Sequence, residues 1–160
     1  MMPALEARVA RALEGCADAS EAIRSVVELV HASSPRHNWT GIYLMDERGD
    51  LVLAHYIGAP SPHTRISLDR GICGAAARQK ATVIVDDVAR DARYLACSLE
   101  TKSEIVVPIM KAGAVLGEID IDSHAPAAFG DEDRRALEGV AALLARRLAP
   151  VPQIRAGGAA

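Results

Sequence analysis

The apolar period changes twice along this chain, and no other feature restricts the architecture as much. Apolar side chains first recur at helical spacing, then alternate through the middle of the sequence, then return to helical spacing after Asp131. A chain with helices at both ends and strands joined mainly as hairpins predicts a central antiparallel sheet with the terminal helices packed on one face. The expected class is therefore α/β of the α+β kind, with a loop-covered ligand pocket on the opposite face. At 160 residues the chain has the size of one ordinary domain. We assign 1–150 to that domain, with 1–17 as an N-terminal helix extension, and 151–160 to a flexible Gly/Ala-containing tail.

The local signals follow that plan. Ala4 to Glu14 reads as a helix with Leu5, Val9, Ala12 and Leu13 on one face. Asp18 caps a second helix, Glu21 completes a capping-box pattern, and Pro35 stops it. Trp39 to Met45 and Leu51 to Ile57 read as a hairpin, followed by a short strand over Thr64 to Leu68. Gly71 to about Gln79 is a short helix and Ala81 to Val85 a strand. Glu104 to Lys111 and Val115 to Ile121 form a second hairpin, turning at Ala112-Gly113-Ala114. The last helix starts near Asp131 and carries Leu137, Val140, Ala141, Leu144 and Leu148 on its core face.

Composition narrows the function. The net charge is −3 and there is no basic run or basic-aromatic stripe, so nucleic acid is not an expected partner. No apolar run reaches membrane-spanning length, and the charged N-terminus lacks the apolar core of a secretory signal. The expected location is cytoplasmic, where a disulfide among three cysteines would be transient.

Two cysteines stand in suggestive places. Cys97 lies in the irregular stretch Val88 to Thr101, longer than a simple connector. Cys73 lies between Gly71 and Gly74 at a helix start, where free N–H groups lower a thiol's pKa. For either one the ordinary alternative is a small buried hydrophobe; Cys16 is explained by packing alone. In Glu118-Ile119-Asp120-Ile121-Asp122 the carboxylates alternate and share one face, and Glu104 opens the neighbouring strand. Such carboxyls would bind an ammonium group, and one raised in pKa would donate a proton. The five histidines are scattered and no short metal-ligand spacing occurs, so no metal or other cofactor is expected.

The stretches Asn38 to Leu44, Gly71 to Gly74, Ile84 to Val88, Leu95 to Cys97, Ser103 to Pro108 and Ile119 to Ser123 resemble, in that order, the free-methionine-(R)-sulfoxide reductases, stand-alone domains of the GAF fold. The resemblance covers roughly residues 18 to 148. It implies that a cysteine thiolate reduces free L-methionine-(R)-sulfoxide, becomes a sulfenic acid, forms a disulfide with a second cysteine and is recycled by thioredoxin or a similar dithiol. Carried over, Cys97 is the nucleophile and Cys73 the resolving cysteine, although the two roles could be exchanged. Glu104, Asp120 and Asp122 bind the amino group and assist proton transfer, and Trp39 and Tyr43 cover the methyl end of the substrate. A homodimer is the assembly the resemblance implies. Departures are also present. His63 stands where the family usually has a third cysteine, Ala92-Arg93-Tyr94 replaces a Pro-Gly-His, and Ser98 follows Cys97 where an acid is usual. These leave open a GAF domain that binds a small molecule without reducing it.

Overall fold

A computed structural model describes residues 2–96 and 98–149. Cys97 and the expected tail 151–160 lie outside the described residues. The elements in chain order are α1 (Met2–Glu14), α2 (Ala19–Ala32), β1 (Trp39–Met45), β2 (Leu51–Ile57), β3 (Arg65–Ile66), α3 (Gly71–Gln79), β4 (Val83–Val85), a 3₁₀ turn at Val88–Arg90, β5 (Ser103–Lys111), β6 (Ala114–Ser123) and α4 (Asp131–Ala145). The strands form one six-stranded sheet in the order β3-β2-β1-β6-β5-β4, antiparallel at every pairing.

Strand alternation sorts side chains onto two faces. Ile42, Ile105, Val107, Ile109, Ile119 and Ile121 point to one face and pack against the apolar stripes of α1, α2 and α4, including Val9, Val26, Leu137 and Leu144. Trp39, Tyr43 and Val106 point the other way and join Ile72, Cys73 and Ala76 of α3. The terminal helices thus cover one face, and α3 with the loops covers the other, as the period change predicts.

Local chemistry fixes the element ends. Asp18 accepts from Glu21 N at 2.9 Å, while Glu21 reaches back to Ala17 N at 2.8 Å, one residue earlier than a capping box requires. Arg147 donates to the carbonyls of Leu13 and Cys16, tying the end of α1 to the segment after α4. Two short strands are shorter than their sequence patterns. β3 pairs only at Arg65 and Ile66, and β4 only from Val83. Both are edge strands, where pairing on one side alone gives less to hold the ends. No helix among the described residues is long and apolar enough to cross a membrane.

Candidate active site

The centre of the site is β6. Its alternation puts Glu118, Asp120 and Asp122 on the α3 face, and its two neighbours complete a lattice around them. On the β5 side Glu104 is opposite Asp122, Val106 opposite Asp120 and Pro108 opposite Glu118. On the β1 side Trp39 is opposite Asp122, Gly41 opposite Asp120 and Tyr43 opposite Glu118. α3 lies over this lattice and brings in Cys73, whose Sγ donates to Asp120 Oδ2 at 3.4 Å. Glu104 is hydrogen-bonded to Asp120 from the adjacent strand.

All four carboxyl groups are buried, with exposures of 5% or less. Burial disfavours a carboxylate, so Asp120 is raised above its ordinary range, and Glu118 and Asp122 well above it. The negative charge of Asp120 pushes Glu118 and Asp122 up further. Asp120 Oδ1, Asp122 Oδ1 and both oxygens of Glu118 find no hydrogen-bond partner among the described residues.

The same surroundings overturn the expectation for Cys73. The start of α3 was expected to lower its pKa. Instead burial, and then the charges of Asp120, Glu118 and Glu104, push the thiol well above its ordinary value. Desolvation and three acids outweigh the partial charge of one helix end. These surroundings favour the protonated thiol, whose Sγ donates to Asp120.

The aromatic wall depends on one glycine. Trp39 lies over Gly41, and a Cβ there would fall 2.3 Å from the indole ring. The ring also stacks on Tyr56 at 5.7 Å and donates to Ala59 O at 3.0 Å. Tyr43 OH donates to His63 O at 2.8 Å and so fixes the loop before β3. On the far side, His63 Nε2 is 3.2 Å from the carbonyl oxygen of Ala96, the residue preceding Cys97. Leu95 packs on Gly71, whose positive φ of 71° and lack of a Cβ admit the leucine.

These parts line a small cavity whose wall includes Tyr43, His63, Cys73, Leu95, Glu104 and Asp120. Its volume is about 10 Å³, room for about one water. A wider groove of about 430 Å³, bordered by Lys80, Thr82, Met110, Arg134 and Glu138, shares no residue with it.

Of the residues expected from sequence, Cys73, Glu104, Asp120 and Tyr43 meet at this cavity. Asp122 and Trp39 share the same sheet face beside it without lining it. One sulfur and two carboxylate oxygens, from Cys73, Glu104 and Asp120, lie within 4.8 Å of one another, a grouping that a search for short ligand spacings does not find. Glu118, Leu95 and Ile66 were missed as site residues. Glu118 was legible as a same-face acid but not as a buried one. Leu95 and Ile66 carry no chemical signal and enter through topology alone.

A family model described as "GAF domain" matches residues 16–149. GAF domain-containing protein A of Dictyostelium discoideum is 42% identical over 66% of this chain and 66% of its own length. The free methionine-R-sulfoxide reductase of Escherichia coli is 35% identical over 70% of this chain and 67% of its own. The structure of free methionine-R-sulfoxide reductase from Neisseria meningitidis in complex with its substrate superposes with a TM-score of 0.81 at 33% identity, covering 91% of this chain and 84% of that one.

Proposed function

Because the chain belongs to the GAF-domain family and, within it, to the free methionine-R-sulfoxide reductases, we propose that it reduces free L-methionine-(R)-sulfoxide to methionine with a cysteine thiolate. The observation that carries this reading is the Cys73 thiol hydrogen-bonded to Asp120 at a small cavity, with Glu104 bonded to the same carboxyl.

Cys97 is the nucleophile. The raised pKa of Cys73 supports that choice, since a thiol held in its protonated form makes a poor attacker. Glu104, Asp120 and Asp122 receive the ammonium group of the free amino acid, whose charge stabilises the Glu104 and Asp122 carboxylates, while Asp120 accepts from it through its carbonyl oxygen and keeps its own proton. Trp39 and Tyr43 supply apolar surface for the methyl end.

The Cys97 thiolate attacks the sulfoxide sulfur while Asp120, still carrying its proton, protonates the sulfoxide oxygen. The substrate sulfur is reduced by two electrons and the cysteine sulfur oxidised by two. The oxygen passes to Cys97 as a sulfenic acid and methionine leaves. Cys73 then attacks the sulfenic sulfur, forming the disulfide and releasing water. A thioredoxin-like dithiol exchanges with that disulfide and restores both thiols. Since the cavity has room for about one water, the Leu95 side chain must move aside to admit an amino acid.

The altered covering loop favours a second reading, a GAF domain that binds a small molecule without reducing it. One assay separates the two. Purified protein is mixed with free methionine-(R)-sulfoxide and a dithiol, and methionine is measured. Turnover lost in Cys97→Ser supports the reductase; no turnover in the unmutated protein overturns it.

A further inference from the structure

His63 stands where the family usually has a third cysteine, and the steps above give it no task. Its backbone is fixed from the sheet. The hydroxyl of Tyr43, a fully buried residue of β1, donates to its carbonyl at 2.8 Å, and its own N–H donates to Ser61 Oγ at 3.1 Å. Its half-buried side chain lines the small cavity and ends with Nε2 at 3.2 Å from Ala96 O. That carbonyl only accepts, so Nε2 carries a proton whether the ring is neutral or charged. The bond spans 33 positions of sequence and joins the loop before β3 to the segment that leads into Cys97. A cysteine in its place could not make this bond, because a thiol sulfur stays next to Cβ while Nε2 lies at the far edge of the ring.

Ala96 connects Leu95, which lines the cavity and packs on Gly71, to the proposed nucleophile Cys97. Before Leu95 the segment is folded on itself. Arg93 pairs with Asp91 at 2.7 Å, and Tyr94 N donates to Asp91 O at 3.2 Å. Those contacts are local and do not fix where the segment lies over the sheet. The bond from His63 does, because its other end is anchored on β1 through Tyr43.

We propose that His63 is a positioning residue for the reduction: it ties the backbone beside Cys97 to the cavity wall, so that the attacking sulfur is held in register with the acids of β5 and β6. The inference rests on the reductase reading. Entry of an amino acid moves Leu95 aside and loosens the bond at Ala96. Its return brings Cys97 back to the substrate, and a fixed attacking group raises the rate of the chemical step. In this role His63 transfers no proton and acts only through Ala96.

The test compares His63→Ala with His63→Gln in the full chain, reduced beforehand. Glutamine keeps an N–H donor at the reach of Nε2, whereas alanine has none. Trypsin cutting after Arg93, read by mass spectrometry, reports local opening of the segment. Cutting after Arg48, in the exposed turn between β1 and β2, serves as the control for general loosening. In His63→Ala, cutting at Arg93 is expected about fivefold faster, the factor that one hydrogen bond carries, with Arg48 unchanged. The first methionine per enzyme at saturating substrate is expected about fivefold slower. His63→Gln should restore both rates. Unchanged cutting at Arg93, equal acceleration at both sites, an unchanged first turnover, or a glutamine variant no better than alanine overturns the proposal. Should the unmutated protein release no methionine, the reductase reading fails and takes this role with it, while the cutting rates still report whether the tie to Ala96 exists.

Discussion

The Cys73 thiol donates to Asp120 Oδ2 across 3.4 Å, and the two residues are brought there by different elements, α3 and β6. The bond favours the thiol form of Cys73 and, against the effect of burial, the carboxylate form of Asp120. The acid needs a donor because it is buried, and the thiol needs an acceptor because three carboxyls surround it. A resolving cysteine kept as a thiol waits for an electrophile, the sulfenic acid, and does not compete for the sulfoxide.

Cys73 is therefore expected to resist alkylation in the folded protein at neutral pH and to react once unfolded. Its thiolate is disfavoured and its sulfur is buried. Mass spectrometry after iodoacetamide treatment checks this. Cys73→Ser keeps a donor toward Asp120, so the fold should persist. That variant should release about one methionine per enzyme and then cycle slowly with thioredoxin; unimpaired cycling removes Cys73 from the mechanism.

Glu118 makes stability depend on pH with a definite sign. Its folded pKa lies well above the ordinary value of 4.5, so the folded state holds a proton that the unfolded chain releases as pH rises past that value. This contribution falls between the ordinary value and the raised folded one. Glu118→Gln has no such proton, so its stability relative to the unmutated protein should grow with pH, by at most about 1.4 kcal/mol per pH unit. Denaturant titrations at pH 5 and pH 8 measure it, and a difference that shrinks with pH contradicts the burial argument.

Much of this arrangement could be read before any coordinates. The six strands, the helical ends and the common face of Glu118, Asp120 and Asp122 follow from spacing, because a strand's period is fixed by its backbone. Burial of that face does not follow, since an acid alternating with isoleucine looks the same on an exposed strand. The raised Cys73 pKa was misjudged for the same reason: local sequence displays the helix start and hides the acids on β5 and β6. The short length of β3 and β4 reflects their edge positions, which depend on strand order.

Gly41→Ala tests the aromatic wall. The added methyl would lie 2.3 Å from the Trp39 ring, so the indole must shift away from its present seat. Overpacking of this kind costs about 1–3 kcal/mol. Trp39 is the chain's single tryptophan, so its intrinsic fluorescence reports the shift directly. The expected result is a changed emission spectrum with a raised KM; an unchanged spectrum would place Trp39 outside any strained contact.

The most direct test of the acid-lined cavity compares two substrates that differ only at nitrogen. Free methionine-(R)-sulfoxide carries an ammonium group for Glu104, Asp120 and Asp122, whereas its N-acetyl derivative carries none. Formation of methionine from the first and of N-acetylmethionine from the second, measured side by side, should be robust for the free amino acid and absent for the acetylated one. Equal rates for both would contradict the account, because the buried carboxyls would then have no part in choosing the substrate.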